Sequence, residues 1–189
     1  MNLIDIRLEQ QKQYGRAMQS YVLMLYEFIL ERRPKKMIEV GVCTGQSTKT
    51  ILMAMGINKF GKLISVDIKN RSDILDADYS DLKEYWHLIK GNSTTPETIQ
   101  AVKDCFDDGE LADMLFIDGN HKMPFVWEDF ENYEKLVSPG GIIMMHDVTN
   151  ANEQVNQAFE KITYPKFCIN WGRARNHVIP GFGIIQKPL

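Results

Sequence analysis

Short apolar runs alternate with amphipathic stretches along the chain, and each run closes beside a polar or charged residue. Met37 to Val40, Lys62 to Asp67, Trp86 to Lys90, Leu111 to Asp118 and Ile142 to Met145 read as strands, from their length and their β-branched and large apolar side chains. The stretches between them carry apolar residues at the helical period. They predict a helix from about Gln46 to Met55, one from Pro96 to about Cys105, and one that Pro124 starts, in which Val126, Phe130, Tyr133 and Val137 share a face. Ser138-Pro139-Gly140-Gly141 stops that helix, and Asp73 to Tyr85 predicts another on a weaker pattern.

Upstream of the first strand, Tyr14, Met18, Val22, Leu25 and Ile29 line one face of a helix that Pro34 ends. Downstream of the fifth, Val155, Phe159 and Ile162 line a helix, and Tyr164 to Trp171 and Val178 to Gln186 read as a closing pair of strands. Strands that alternate with helices through short connections form an α/β architecture, an open parallel sheet covered on both faces. Such sheets bind ligands beyond the carboxyl ends of their strands, where strand order reverses. Glu39, Asp67, Gly91 to Ser93, Asp118 and His146-Asp147 all fall at those ends.

A length of 189 residues suits one domain. It divides into an N-terminal helical segment over 1–34, a core over 37–147, and a C-terminal helix with the closing strands over 148–189. Composition narrows the function mainly by exclusion. No apolar run approaches the roughly 20 residues of a membrane span. The first residues mix acids and bases without a secretory core, which predicts a cytoplasmic protein. A net charge of −3 argues against a nucleic-acid surface, which needs clustered bases. Cys43, Cys105 and Cys168 are far apart with no CxxC pair, so reduced thiols are expected. Small molecules or other proteins are the expected partners.

The stretch MIEVGVCTGQSTKT, from Met37 to Thr50, combines a strand, a glycine turn and a helix N-terminus whose free N–H groups can face a ligand. Asp67, at the end of the second strand, is placed to accept the hydroxyls of a ribose. An adenosine-type cofactor follows. A dinucleotide turn reads GxGxxG, but here Cys43 stands where the second glycine belongs, and a pyrophosphate needs that close backbone approach. Glu39 adds negative charge beside the turn, which suits a cationic sulfonium or ammonium group. The turn therefore favours S-adenosylmethionine over NAD.

Together, IEVGVCTGQST, ISVDIK, IKGNS, LFIDGNH and SPGGIIMMHD resemble the class I S-adenosylmethionine-dependent methyltransferases, from about Met37 to Asp147. The DGNH loop, the aromatic-rich helix after it and PGG…HD look like small-molecule O-methyltransferases of the macrocin and catechol types. The resemblance implies a Rossmann-like, doubly wound seven-stranded sheet of order 3-2-1-4-5-7-6 with the last strand antiparallel. It also implies that Gly41, Thr44, Gly45 and Ser47 hold the methionine part of the cofactor, that Asp67 binds the ribose, and that Ile68, Asn92 and Ser93 flank or bond the adenine. Glu39 either contacts the cofactor directly or stabilises the turn. Cys43 reads as a small packing residue.

In catechol-type enzymes a carboxylate after strand four and an acid-amide pair after strand five hold a divalent cation, Mg or Mn, that orients the acceptor hydroxyl and lowers its pKa. By that resemblance Asp118 and Asp147 are metal ligands and Asp118 also borders the cofactor. Val148 stands where the amide should be, and His146 precedes the acid instead; an imidazole ligand favours Mn, Fe or Zn. The alternative is a purely structural hydrogen-bonded pair. Three positions after Asp118 the pattern has a lysine base, and here the residue is His121, whose ordinary pKa near 6.5 suits proton removal at neutral pH. Lys122 is the reserve, and a loop histidine that caps the next helix is the other reading of His121. Acceptor walls are expected from the N-terminal helix, from Met123, Phe125 and Trp127, and from Asn170 to His177, where Arg173 and Arg175 could grip an acidic group.

The implied function is methyl transfer from S-adenosylmethionine to a hydroxyl of a small-molecule acceptor, with a metal and a histidine base. The apolar N-terminal helix could pair across a homodimer. A binder that keeps the cofactor pocket without catalysis, as sensor or assembly subunit, is the alternative from another class; it need not retain Asp118, His121 and Asp147. An NAD-dependent oxidoreductase is disfavoured by Cys43.

Overall fold

Apolar residues alternate along each central strand, and this alternation divides the core between the two faces of one sheet. A computed structural model describes residues 20–75, 77–149, 153–169, 173–174, 177–178 and 181–189. Helix α1 (Ser20–Arg32) leads into β1 (Lys36–Val40), α2 (Gln46–Asn58), β2 (Lys62–Asp67), a 3₁₀ segment (Ala77–Tyr85) and β3 (Trp86–Lys90). Then come α3 (Pro96–Lys103), β4 (Ala112–Ile117), α4 (Phe125–Tyr133), a 3₁₀ turn (Glu134–Leu136), β5 (Val137–His146), α5 (Glu153–Lys161), β6 (Lys166–Ile169) and β7 (Phe182–Gln186). A two-residue ribbon, Arg173–Ala174 with His177–Val178, lies between β6 and β7.

The sheet has the order β3-β2-β1-β4-β5-β7-β6, as the resemblance implies. Strands β1 to β5 pair in parallel, while β7 runs antiparallel between β5 and β6. Met37, Leu63, Met114, Phe116, Met144 and Phe182 point to the face that α1, α2 and the first 3₁₀ segment cover. Ile38, Val40, Ile64, Val66, Leu115, Ile117, Ile143 and Met145 point to the other face, under α4 and α5. Because β1 pairs with both β2 and β4, chain order reverses there, which makes the carboxyl end of β1 the switch point at which such sheets bind ligands.

Two elements differ from expectation. Val137 does not close the helix of Val126, Phe130 and Tyr133. That helix tightens into the 3₁₀ turn Glu134–Leu136, and Val137 already pairs with Ala112 as the first residue of a long β5. The Ser-Pro-Gly-Gly stretch lies inside the strand, where Gly140 at φ +75 and a register shift between Ala112 and Met114 absorb it as a bulge. The stretch after Asp73 forms 3₁₀ turns with a kink at Tyr79 and no α-helix, in keeping with its weak periodicity. Tyr14, Met18 and the side chains of the proposed wall from Asn170 to His177, those of Arg173 and Arg175 among them, lie outside the described residues. No helix among the described residues is long and apolar enough to cross a membrane.

Candidate active site

The glycine turn is built around Gly41, whose φ is +93. A Cβ there would meet the carbonyl oxygen of Asp118 at 2.2 Å, so only glycine lets the ends of β1 and β4 close together. The pairing continues past both strands: the Gly41 N–H donates to the Val66 carbonyl at 2.9 Å, and the Asp118 N–H to that of Val40 at 2.8 Å. Gly45, at φ +80, is the N-cap of α2, and no side chain caps that helix end.

Glu39 lies under the turn with no exposed surface. Its Oε1 accepts from the Ser47 hydroxyl at 2.6 Å, and its Oε2 from the hydroxyls of Thr48 at 2.7 Å and Ser65 at 2.6 Å. Burial pushes its pKa up to about 7 in spite of these three donors. Trp86 extends the network by donating from Nε1 to Ser65 Oγ at 2.9 Å. The carboxyl group thus ties β1, β2 and the first turn of α2 together. Of the two roles expected for Glu39, this geometry favours turn stabilisation, and it spends the Ser47 hydroxyl on the same task.

Asp67 holds the turn from the other side. Its Oδ2 accepts from the backbone N–H groups of Val42 at 3.0 Å and Cys43 at 2.9 Å, and its Oδ1 from that of Lys69 at 2.8 Å. Burial opposes ionisation, but these donors and the Arg71 guanidinium outweigh it and keep the group below the usual carboxylate range. A cavity of about 340 Å³ opens beside it, lined by Gly41, Cys43, Asp67, Ile68, Asn92 and Ser93, with Asp118 at one end. Those residues were expected at a cofactor site, apart from Cys43. Thr44, Gly45 and Ser47 do not line the cavity, and Glu39 lies below it. Cys43 is exposed on the wall at φ +51, so it is not the packing residue expected. Ile68 is 68% exposed, an apolar surface with no protein partner at the cavity's edge.

Four titratable groups gather past Asp118. His121 bridges two acids, with Nε2 at 3.0 Å from Asp118 Oδ1 and Nδ1 at 3.2 Å from Asp147 Oδ2. His146 Nδ1 faces the same pair, 3.3 Å from Asp118 Oδ1 and 3.5 Å from Asp147 Oδ1. Asp147 has φ +60, which is uncommon for a residue with a side chain, and its buried Oδ1 has no hydrogen-bond partner. Burial raises the Asp118 pKa, yet the charges of His146 and His121 outweigh it and draw the group below its ordinary value. The hydrogen bond to Asp118 raises His121 against the opposing effect of burial. Burial lowers His146, and Asp118 and Asp147 reverse that to a net rise.

Donor atoms of Asp118, His121 and Asp147 lie within 4.8 Å of one another, close enough to share one cation. This donor set and the Asp147 oxygen without a hydrogen bond fit a divalent metal. His146 is buried behind the group, with the ring of Tyr21 packed on it at 4.3 Å between centroids. Tyr21, on α1, had no signal in the sequence beyond its helical phase, because the contact joins residues 125 positions apart. Of the expected acceptor wall, Trp127 turns instead toward Phe130, with Lys161 Nζ 3.7 Å from its ring centroid. Arg71, Gly119 and Asn120 also line the cavity; Gly119 and Asn120 belong to the DGNH loop, and Arg71 had no signal beyond its place four residues after Asp67.

A family model described as a methyltransferase domain matches residues 38–148. No curated protein matches the chain. Among solved structures, the O-methyltransferase from Bacillus cereus in complex with SAH is similar at a TM-score of 0.71 and 14% identity, over 97% of this chain and 88% of that one. The O-methyltransferase TomG from Streptomyces achromogenes, involved in tomaymycin synthesis and solved with SAM, gives 0.70 and 14% over 98% and 89%. The SAH-bound Podospora anserina methyltransferase PaMTH1 gives 0.61 and 12% over 98% and 87%. With residues 38–148 matched and the sheet order that the resemblance implies in place, the chain belongs to the methyltransferase domain family, within the class I S-adenosylmethionine-dependent methyltransferases.

Proposed function

We propose that the protein transfers a methyl group from S-adenosylmethionine to a hydroxyl of a small molecule. The observation that carries this reading is the junction at Asp118, where the cavity of the glycine turn meets the four-residue cluster of acids and histidines. Gly41 and the uncapped start of α2 would receive the methionine end, Asp67 the ribose, and Ile68 with Asn92 and Ser93 the adenine. S-adenosylmethionine supplies the activated methyl group. Two solved structures of similar fold, both called O-methyltransferases, hold SAH or SAM.

In this proposal Asp118, His146 and Asp147 hold a divalent metal, which when bound would orient the acceptor hydroxyl and lower its pKa. His121, a third exposed, stands in front of them as the base that takes the hydroxyl proton. Its pairing with Asp118 raises its pKa, so it accepts a proton only once its own has left. The grouping of donor atoms supports a second reading, with His121 as a ligand in place of His146. Metal affinity separates the two: loss in His121→Ala indicates a ligand, and loss only in His146→Ala indicates a base at 121.

Calorimetry with S-adenosylmethionine, SAH and NAD tests the donor. The first two should bind in preference, and equal or tighter binding of NAD would end the assignment. A screen of hydroxyl-bearing small molecules with methyl-labelled donor then identifies the acceptor; binding without transfer to any of them favours the sensor or assembly role.

A further inference from the structure

Asp129, on α4, is a fully buried acid that the proposed chemistry does not use. Neither of its carboxylate oxygens has a hydrogen-bond partner. Such a group is costly to bury, so a native protein retains it for a reason. Its surroundings are specific. A Cβ on Gly119 would come within 3.1 Å of Asp129 Oδ2, so the carboxylate presses on the backbone of the loop after β4. Ser93, in the loop after β3, lies near enough to favour the ionised form but stops short of a well-formed hydrogen bond. One turn along the helix, the Tyr133 hydroxyl donates to the Ser93 carbonyl at 3.0 Å. Ser93 and Gly119 both line the cavity assigned to the cofactor.

We infer that Asp129 is a positioning residue for the adenine end of the cofactor, an anchor beneath both loops whose hydrogen bonds are completed when the cofactor draws the loops together. The inference rests on the assignment of this cavity to S-adenosylmethionine. The Ser93 hydroxyl is the nearest donor, and the backbone at Gly119, against which Asp129 Oδ2 already packs, is where a second would come from. The carboxylate does not touch the ligand, since it has no exposed surface.

A consequence is linkage between cofactor binding and one proton. Burial pushes Asp129 up to about 6, helped by the neighbouring charge of Glu128. Glu128 and the Tyr133 phenol, on its own helix, are the titratable groups that reach it, and the loops packed on it present the uncharged Ser93 and Gly119. Donors gained on binding favour the ionised form and lower the pKa in the complex. Binding therefore releases a proton near pH 6, and affinity falls as pH drops below about 6, by up to about tenfold per pH unit.

The test is calorimetry of SAH binding to the full-length protein between pH 5 and 8, in buffers of different ionisation enthalpy. Wild type should release up to about three-quarters of a proton near pH 5.5, the fraction that a group of pKa about 6 holds there. Asp129→Asn should bind about tenfold more weakly at pH 7.5, as expected for lost hydrogen bonds to a charged group, and show neither the release nor the fall below pH 6 that Asp129 causes. Unchanged affinity, or proton release that persists in Asp129→Asn, overturns the inference. Should that variant not fold, a carbon-13 titration of the wild-type carboxyl groups decides: one aspartate near 6 must move down when SAH binds, and no movement overturns the inference. Failure of wild type to bind SAH at all would instead remove the cofactor assignment on which the inference rests.

Discussion

The two ends of the site keep their acids charged or buried by different means. Around the glycine turn, Glu39 and Asp67 are met mainly by hydroxyls and backbone N–H groups, dipoles that carry no net charge, with the Arg71 guanidinium beside Asp67 as the one charged partner. Past Asp118 the acids face imidazoles, which carry a removable proton, and one Asp147 oxygen has no hydrogen bond. Dipolar partners make a rigid cradle that changes little when a ligand enters. Ionisable partners make a centre that exchanges a proton or a cation. The division suits the proposed reaction, in which one half would hold the donor and the other prepare the acceptor.

His121→Ala breaks this contrast most sharply. It should lower kcat by about 10²- to 10⁴-fold, the usual share of a general base, and leave SAH affinity within about twofold. Comparable loss in both measurements would mean that the two halves are one unit. Chelation followed by Mg or Mn add-back comes next: the rate should change by at least about tenfold and SAH binding hardly at all. Indifference to both treatments leaves Asp118, His146 and Asp147 as a hydrogen-bonded structural group.

On the cradle side, Gly41→Ala should cost about 2 kcal/mol or more in urea unfolding and weaken SAH binding as well, because the residue sits at φ +93 with a carbonyl in the way. A stable variant with native affinity would show that the turn gives way easily. Glu39 is read through the pH dependence of stability. Its pKa rises from 4.5 to about 7 on folding, so between those values the native state holds a proton that the unfolded chain has released. The stability it confers is complete below 4.5 and declines as pH rises to 7, by up to about 1.4 kcal/mol per pH unit. Glu39→Gln has no such proton, and wild type minus variant, from denaturant unfolding between pH 4 and 8, should trace this decline; a flat difference removes it.

Strand ends were legible because a buried strand and the polar residue that terminates it are local features. Gly41, Asp67, Ser93, Asp118 and Asp147 could be placed at one edge of the sheet from spacing and fold logic. Partners were not legible. That Glu39 would collect the hydroxyls of Ser47, Thr48 and Ser65 depends on the register of β1 against β2, where Glu39 pairs with Ser65. Val137 looked helical because its phase continued that of Tyr133, and pairing with Ala112 overrode it.

By itself the sequence determined the alternation of elements, the glycine turn and the acids that follow the strands, since each rests on side-chain type and short-range periodicity. Tertiary structure alone decided which of those acids met hydroxyls and which met histidines. Glu39 and Asp118 are equivalent in the sequence, each a carboxylate at a strand end. Packing supplied hydroxyl dipoles to the first, histidines to the second, and for Asp129 no hydrogen-bond partner at all. That choice depends on which long-range neighbours burial brings within about 3 Å, a distance over which hydrogen bonds form and no sequence period extends.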